Sequence, residues 1–539
     1  MSKSSKQSFT SRRGLLLGGG MLAGNTLLLA SKKNAAGPTA APVEPVAQGN
    51  IYASLGVRPL VNCKGTFTII SGSQSLPEVK IAIEAASHHY VHMDELMAAV
   101  GKRLAELTQA EWGIVTAGCA AALTHATAAC IAGANPERMQ RLPDLTGLRN
   151  EVIMPKYSRN EYDHAVRMLG VKIIEVETAE QLQGAFNART AMVLVLSCPA
   201  AEKGPLSIPE VAKAARQANV PMIVDAAAEN LTIPNIHLAH GATMVAYSGG
   251  KSLRGPQCAG LLLGPKDLLQ AAWLNSAPHH AFGRSLKVGK EEIVGMLTAV
   301  ESWVKRDHEA EWKLWQSWLD SIAAQVTKVP GVTTTIRQPE DLSNHAPELV
   351  IHWDASTLGI AGEEAQKLLL EGEPRIIVGG ASGNRCENTA SALTIMPYMM
   401  MPGDHEIAGR ALYALLSKPP AMAACPPPQS PSVDLGGAWE LQLVYGLGTA
   451  RHHVEFEQKG AQLSGIHRGE VLSGDLAGSV DGNKVHFSSS HHIEGTNLHY
   501  SFEGIADGAT MSGTVGLGEY GSARWTARRH AYRSSHENG

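Results

Sequence analysis

The chain has 539 residues, 44% of them hydrophobic and 18% charged, with 46 Lys and Arg against 50 Asp and Glu. That supply of apolar side chains fills several packed domains and excludes general disorder. A net charge of −4 gives no basic footprint for nucleic acid, and 5% aromatics argue against a stacking platform for single strands.

At the amino end, Lys3 and Lys6 precede Ser11-Arg12-Arg13-Gly14-Leu15-Leu16-Leu17. An apolar stretch from Gly14 to Ala30 follows. Gly18, Gly19, Gly20, Gly24 and Asn25 interrupt it, so it makes a poor transmembrane helix. Small residues come next, Ala35-Ala36 and Ala40-Ala41. Residues 1–36 thus resemble a twin-arginine signal, and a periplasmic protein exported in the folded state is expected. No stable membrane span is expected once that signal is removed. Residues 37–50, rich in Ala, Pro and Gly, read as a linker.

From 51 to 305, strands and helices alternate. Apolar runs at Trp112–Thr116, Glu151–Met154, Lys172–Val176, Ala191–Ser197, Pro221–Val224, Met244–Tyr247 and Ala259–Leu263 predict strands. Amphipathic segments at Glu78–Val91, Glu95–Leu107 and Ile208–Ala218 predict helices. The alternation predicts an α/β domain with a mostly parallel sheet covered on both faces. A long helix over Glu291–Thr327 carries Trp303, Trp312, Trp315 and Trp318. Three of these stand at i, i+3 spacing, the pattern of a buried stripe rather than a ligand box.

Residues 306–418 read as a smaller α+β domain. Strands are expected at Val332–Arg337, Leu349–Trp353 and Arg375–Val378, and helices at Gly362–Leu370 and Asp404–Leu416. A proline-rich linker, 419–433, follows. From 434 to 530 the period falls to two, as in Trp439, Leu441, Leu443 and Tyr445, or Val485 and Phe487. That predicts an antiparallel, barrel-like β domain of about eight strands, with a tail at 531–539. Its histidines, His452, His453, His467, His486, His491, His492 and His499, read as solvated surface residues, since His453 and His486 alternate with apolar neighbours. No metal site is expected. Seven cysteines without a CxxC pair argue against a disulfide framework in a chain this large.

Three features carry chemistry. Thr116-Ala117-Gly118-Cys119-Ala120-Ala121 follows a strand and opens a helix, and free amides at such a start suit a phosphate. Asp225 ends the strand Met222-Ile223-Val224, on the edge of a parallel sheet where ligands bind. Lys251 sits in Ser248-Gly249-Gly250-Lys251-Ser252-Leu253-Arg254-Gly255-Pro256-Gln257, a turn at a strand exit that can hold a Schiff-base amine. Singly, each has a plain structural reading: a packed helix, a capping carboxylate, a solvated loop lysine. Jointly they fit a pyridoxal-phosphate site, the Asp keeping the pyridine nitrogen protonated and the Lys moving protons. No Walker loop or GxGxxG strand–helix unit competes.

On these motifs the chain resembles fold type I pyridoxal-phosphate enzymes, in the branch of selenocysteine synthase (seryl-tRNA selenium transferase) and D-glucosaminate-6-phosphate ammonia-lyase. Further motifs are Arg58-Pro59-Leu60-Val61-Asn62, Met93-Asp94-Glu95-Leu96, Leu142-Pro143-Asp144, Arg159-Asn160-Glu161-Tyr162-Asp163 and Gly283-Arg284 with Lys287-Val288-Gly289-Lys290. The resemblance covers about 51–418 and implies a mostly parallel seven-stranded sheet. It implies Lys251 as the cofactor lysine, Asp225 at the pyridine nitrogen, and Gly118, Cys119, Ala120 and Ser248 around the phosphate. Arg284 and Lys287 correspond to a basic pair near an anionic substrate group. Arg159 is a further candidate, with a structural salt bridge as the equal alternative. Arg375 and Arg385 are left open as ligands for a substrate carboxylate. The implied activity is elimination on a small, anionic amino acid or amino sugar acid, releasing ammonia and a keto acid, in a homodimer or higher homo-oligomer. Two alternatives stand beside it: a binding or assembly protein on a retired enzyme scaffold, and selenium transfer on seryl-tRNA, for which an exported protein is badly placed.

Overall fold

The computed structural model describes residues 51–530 apart from Pro426 and Pro428. The expected export signal, the 37–50 linker and the 531–539 tail lie outside the described residues. Residues 51–58 belong to a separate unit and form a single helical turn, Ile51–Ser54, closed by the Val57 N–H donating to Tyr52 O at 2.8 Å.

After β1 (Val61–Cys63), the chain lays down β2 (Trp112–Thr116), β3 (Glu151–Pro155), β4 (Lys172–Val176), β5 (Thr190–Leu196), β6 (Met222–Asp225), β7 (Met244–Ser248) and β8 (Gly260–Gly264). These last seven form one sheet, in the order β2-β8-β7-β6-β5-β3-β4. All pairings are parallel except those of β8, which runs against both neighbours. The expected mostly parallel seven-stranded sheet is therefore present. One core joins it to the helices Met93–Thr108, Cys119–Ala132, Ile208–Gln217 and Lys290–Lys305. The central strands are buried along nearly their whole length, as a sheet covered on both faces requires.

The long helix expected over Glu291–Thr327 is two helices, Lys290–Lys305 and His308–Val326. Asp307 makes the break: its carboxylate accepts the Ala310 N–H at 2.9 Å and caps the second helix.

The small domain holds β9 (Thr333–Arg337), β10 (Glu348–Asp354), β11 (Ile376–Ser382) and β12 (Ala390–Ile395), and β1 completes its sheet in the order β1-β11-β12-β10-β9. Two points differ from the sequence reading. Val61–Cys63 belongs to this sheet and not to the large domain, and β12 was not expected. The strand expected at Arg375–Val378 is β11, which runs on through Gly379 and Gly380 to Ser382 with an irregular register between Gly379 and Ser382. Cys386 and Cys425 form a disulfide that ties the loop after β11 to the interdomain linker. One disulfide thus exists where none was expected.

The carboxyl-terminal domain is a closed barrel of eight strands: β13 (Gly437–Val444), β14 (Thr449–Lys459), β15 (Gln462–Arg468), β16 (Ser473–Asp481), β17 (Lys484–Ile493), β18 (Thr496–Asp507), β19 (Thr510–Gly516) and β20 (Ser522–Arg529). Antiparallel pairing of β13 with β20 closes it and leaves no free edge. Trp439, Phe456, Phe487, Phe502 and Trp525 fill the interior. So do His452, His467 and His491, which corrects the surface reading for three of the seven histidines. His452 Nδ1 lies 2.8 Å from His467 Nε2, and His467 Nδ1 lies 2.6 Å from Ser489 Oγ and 3.1 Å from His491 Nε2. The rings bond to one another, and among the described residues no group of three or more His, Cys, Asp or Glu surrounds a metal position. His453, His486, His492 and His499 are exposed as expected. Among the described residues no helix is long and apolar enough to cross a membrane.

Candidate active site

Strands β2, β3, β5, β6 and β7 run in one direction, since β8 opposes both β2 and β7. Their carboxyl ends therefore open on one edge of the sheet, where α/β folds bind ligands. The segment starting at Gly118, the loop after β3, Asp225 and the Ser248–Lys251 turn all meet there.

Gly118 precedes the helix Cys119–Ala132 with φ of +88°, a conformation that favours glycine. A side chain built there would meet nothing within 4 Å, so the space before the helix is open. No side chain caps the helix start. Thr116 Oγ1 donates to Gly118 O at 2.8 Å and fixes the bend. Open amides at the positive end of a helix suit a phosphate.

Asp225 is 5% exposed. Its Oδ1 accepts the Ala227 N–H at 3.1 Å and, more weakly, the Cys119 thiol at 3.5 Å. Burial pushes its pKa up, while the Ala227 N–H and the Lys251 ammonium oppose that rise. The Cys119 thiol is held well above its ordinary value by burial and then by the charge of Asp225. Lys251 acts electrostatically on both groups, so the three lie within electrostatic reach of one another. Its turn is fixed by backbone bonds: Gly249 N–H to Ala259 O at 2.7 Å, Gly255 N–H to Gly249 O at 2.8 Å and Arg254 N–H to Lys251 O at 2.9 Å. Ser73 donates its N–H to Gly250 O at 3.1 Å, and its buried hydroxyl has no partner.

Behind this edge lies a polar network that the sequence reading missed. Glu229 is fully buried and bonds Ser197 Oγ and, at 2.6 Å, His237 Nε2. Ser252 Oγ donates to Glu229 O at 2.9 Å, tying the lysine turn to the exit of β6. Tyr162, named from the sequence only within the motif at 159–163 and given no role there, lies in the loop after β3, 55% exposed. Partial burial raises its pKa, and the negative charge of Asp225 adds to the rise.

The remaining candidates lie elsewhere. Arg159 is taken up by ion pairs with Asp163 at 2.8 Å, Glu175 at 3.3 Å and Glu494 of the barrel, which is the salt-bridge alternative. Arg385 pairs with Glu364 at 2.8 Å, and Arg375 donates to Leu370 O at 3.1 Å. Arg284 and Lys287 are exposed, in the loop that follows the helix Lys266–Leu274. Asn275, at the start of that loop, donates to Gly133 O, just beyond the far end of the helix that Gly118 opens. Fourteen residues of helix separate the two ends by roughly 20 Å. A cavity of about 770 Å3 lies beside the lysine turn, lined by Ser252 and Arg254 but by neither Lys251 nor Asp225. All four tryptophans of the expected stripe line it. Trp303 and Trp318 are buried and Trp312 and Trp315 half-buried.

No family model matches the chain. It is 31% identical over 334 residues to D-glucosaminate-6-phosphate ammonia lyase of Salmonella typhimurium, covering 60% of this chain and 88% of that protein. It is 31% identical over 301 residues to 5'-C-glycyluridine monooxygenase-decarboxylase of a Streptomyces species, covering 54% and 74%. The solved structure of a D-glucosaminate-6-phosphate ammonia-lyase superposes with a TM-score of 0.60 at 28% identity, covering 68% of this chain and 98% of that one.

Proposed function

Because the chain belongs to the fold type I pyridoxal-phosphate family of D-glucosaminate-6-phosphate ammonia-lyase, we propose that it is a pyridoxal-phosphate-dependent lyase. Its reaction is elimination on an amino acid or amino sugar acid, with release of ammonia and a keto acid. The observation that carries this reading is the meeting of Gly118, Asp225 and Lys251 on one sheet edge, with Lys251 acting on the buried Asp225.

The residues present fit the cofactor. Asp225 has one strong donor, Ala227 N–H, and one weak one, the Cys119 thiol, and so keeps acceptor capacity for a pyridine nitrogen. The open amides at Cys119 and Ala120, with Ser248, would hold the phosphate; Gly118 leaves the space for it, its own N–H being donated to Thr116 O at 2.9 Å. Bound there, pyridoxal phosphate supplies an electron sink for the substrate α-carbon. Asp225 keeps a proton on the ring nitrogen, and a cation beside it draws its own pKa down against burial. Lys251 Nζ takes the proton from the substrate α-carbon and delivers one to the departing group. The rigid turn from Gly249 to Gly255 holds that amine at the sheet edge.

Gly283, the neighbour of Arg284, packs on His125, seven residues or roughly 10 Å along the helix that Gly118 opens, and Arg284 and Lys287 are exposed with no side-chain partner among the described residues. They reach the substrate carboxylate from a second copy. Exposed Ile69, Ile81 and Tyr90 support a homodimer, since monomers leave few such residues uncovered in adjacent segments. We assign the protein to the periplasm on the twin-arginine pattern. The Cys386–Cys425 disulfide supports an oxidising compartment.

The test is direct. Purified protein is expected to be yellow, and borohydride followed by peptide mapping is expected to fix the label on Lys251. Ammonia and keto acid are expected from at least one member of a panel of amino acids and amino sugar acids. A colourless protein that takes up no cofactor rejects the reading.

A further inference from the structure

The loop after β3, residues 156–163, borders the site. Ser158 Oγ accepts the Leu196 N–H at 3.0 Å, and Tyr157 donates to Leu206 O at 2.6 Å, so its base is fixed to the large domain. Its outer side is covered by the barrel. The turn between β17 and β18 lies on it, with Glu494 paired to Arg159. Gly495 packs backbone to backbone against Asn160: a Cβ there would fall 2.1 Å from Asn160 O and 2.6 Å from its N. A second barrel segment, Gly518–Tyr520, approaches the same loop. The charge of Glu519 reaches the Tyr162 phenol, and that of Glu161 reaches Tyr520. The charge of Asp225 also reaches the Tyr162 phenol. The barrel turn at Glu494 and Gly495 is therefore packed on a loop that lies on the same sheet edge as the cofactor carboxylate.

The charge of this wall is one-sided. Glu161, Asp163, Glu175, Glu177, Glu494 and Glu519 are opposed by Lys156, Arg159 and Arg167, and Lys156 is paired with Glu177 at 2.9 Å. Both guanidinium groups are already engaged with Asp163, at 2.8 and 2.7 Å. None of the wall's own cations is left for an incoming anion, and Arg284 and Lys287 are assigned to the substrate carboxylate. The solved ammonia-lyase is matched over 98% of its length by 68% of this chain, so roughly a third of this chain has no counterpart there.

We propose that the barrel is the outer wall of the active site, and that its acidic rim selects substrates with one carboxylate and a neutral or cationic remainder over phosphorylated ones. The inference rests on the lyase reading for its substrate class, but the covering of the loop does not. A phosphate ester brings nearly two further negative charges toward a rim whose own cations are already paired. Like charges set facing one another in a partly desolvated site oppose binding.

The experiment uses the full-length protein and two readouts. First, hydrogen exchange of residues 156–163 is followed in cofactor-free protein. Gly495→Val, which collides with Asn160, and the milder Glu494→Gln, which removes the ion pair without adding volume, are expected to raise exchange in that loop at least tenfold and about threefold. Unchanged exchange in both overturns the wall, whatever the activity. Second, D-glucosaminate and its 6-phosphate ester are compared on loaded protein, by kcat/KM, or by Kd from the cofactor's spectral shift if turnover is absent. The unphosphorylated compound is expected to be favoured at least tenfold, and Glu519→Gln with Glu161→Gln to narrow the ratio several-fold. Preference for the ester overturns the selection while leaving the lyase reading intact. Failure to load cofactor rejects the lyase reading and leaves the exchange test to decide the wall.

Discussion

Acidification should loosen the barrel from within. His452, His467 and His491 are 3%, 0% and 1% exposed and share a hydrogen-bonded chain with Ser489, against the ring of Tyr500. Burial lowers the pKa of His452 to about 4 and of His467 to about 3, with each neighbouring imidazole adding to the effect, and burial lowers His491 as well. In the unfolded chain each imidazole takes up a proton near its ordinary value of 6.5. Between that value and about 4 the unfolded state binds more protons than the folded one, so stability falls as pH falls. At pH 4.5 the loss is on the order of 2–3 kcal/mol for each of His452 and His467. A domain of this size has about 5–15 kcal/mol in total. Hydrogen exchange in β14, β15 and β17 reads this directly and separates the barrel from the other domains. Protection there should drop cooperatively from pH 6.5 to 4.5, while β5 and β6 keep theirs. His467→Phe, placed among Tyr500 and Phe502, should flatten the pH slope. At pH 7 it should cost about 1–3 kcal/mol, because it strands His452 and Ser489. A barrel equally protected at pH 7 and 4.5 would refute the neutral, inward-facing histidine cluster.

The other expectations concern the site and its supports. Asp225→Asn removes a charged hydrogen-bond partner worth about 1.5–3 kcal/mol, so cofactor retention, titrated by colour, should weaken by about 10- to 150-fold while the fold persists; unchanged retention would detach Asp225 from the ring nitrogen. Mixing Lys251→Ala with Arg284→Ala protein should restore activity that neither has alone if Arg284 serves the other copy's site, and should restore none if it does not. Cys386→Ser opens a loop of 39 residues and should cost about 4 kcal/mol on the chain-entropy estimate; equal melting temperatures for variant and wild type would show that the linker is held by other contacts, such as Arg385 to Ala423 O.

Where the sequence was legible, a period and a direction acted together. Each of the seven strands of the large sheet is a short apolar run between helical segments, and Gly118, Asp225 and Lys251 each lie at the exit of such a run. Parallel crossover connections then force all three to one edge. Nothing in the local pattern, however, reports pairing across long separations. Val61–Cys63 joins Ile376–Val378 in register, a choice made by the small-domain core and invisible in either segment alone. The Cys386–Cys425 bond and the commitment of Arg385 to Glu364 have the same origin. The break at Asp307 is different: an Asp three residues before Ala310 is a local capping signal, lost beneath a helical apolar pattern that runs through it.

The barrel histidines show how a correct rule can be applied to the wrong residue. His453 does alternate with Val454 and Phe456 and does face solvent, but His452 shares their parity and must therefore face inward. His467 is in phase with Leu463, and His491 with Val485 and Phe487. In a strand the period is two without drift, so one apolar anchor fixes the side of every other residue until a bulge intervenes. Three imidazoles on β14, β15 and β17, all in phase with the core, thus have to satisfy one another, and the observed chain of contacts at 2.6 to 3.1 Å is the form that necessity takes. The polar interior at this position leaves the barrel's stability tied to pH, while its contacts with the loop at 156–163 tie its position to the active site.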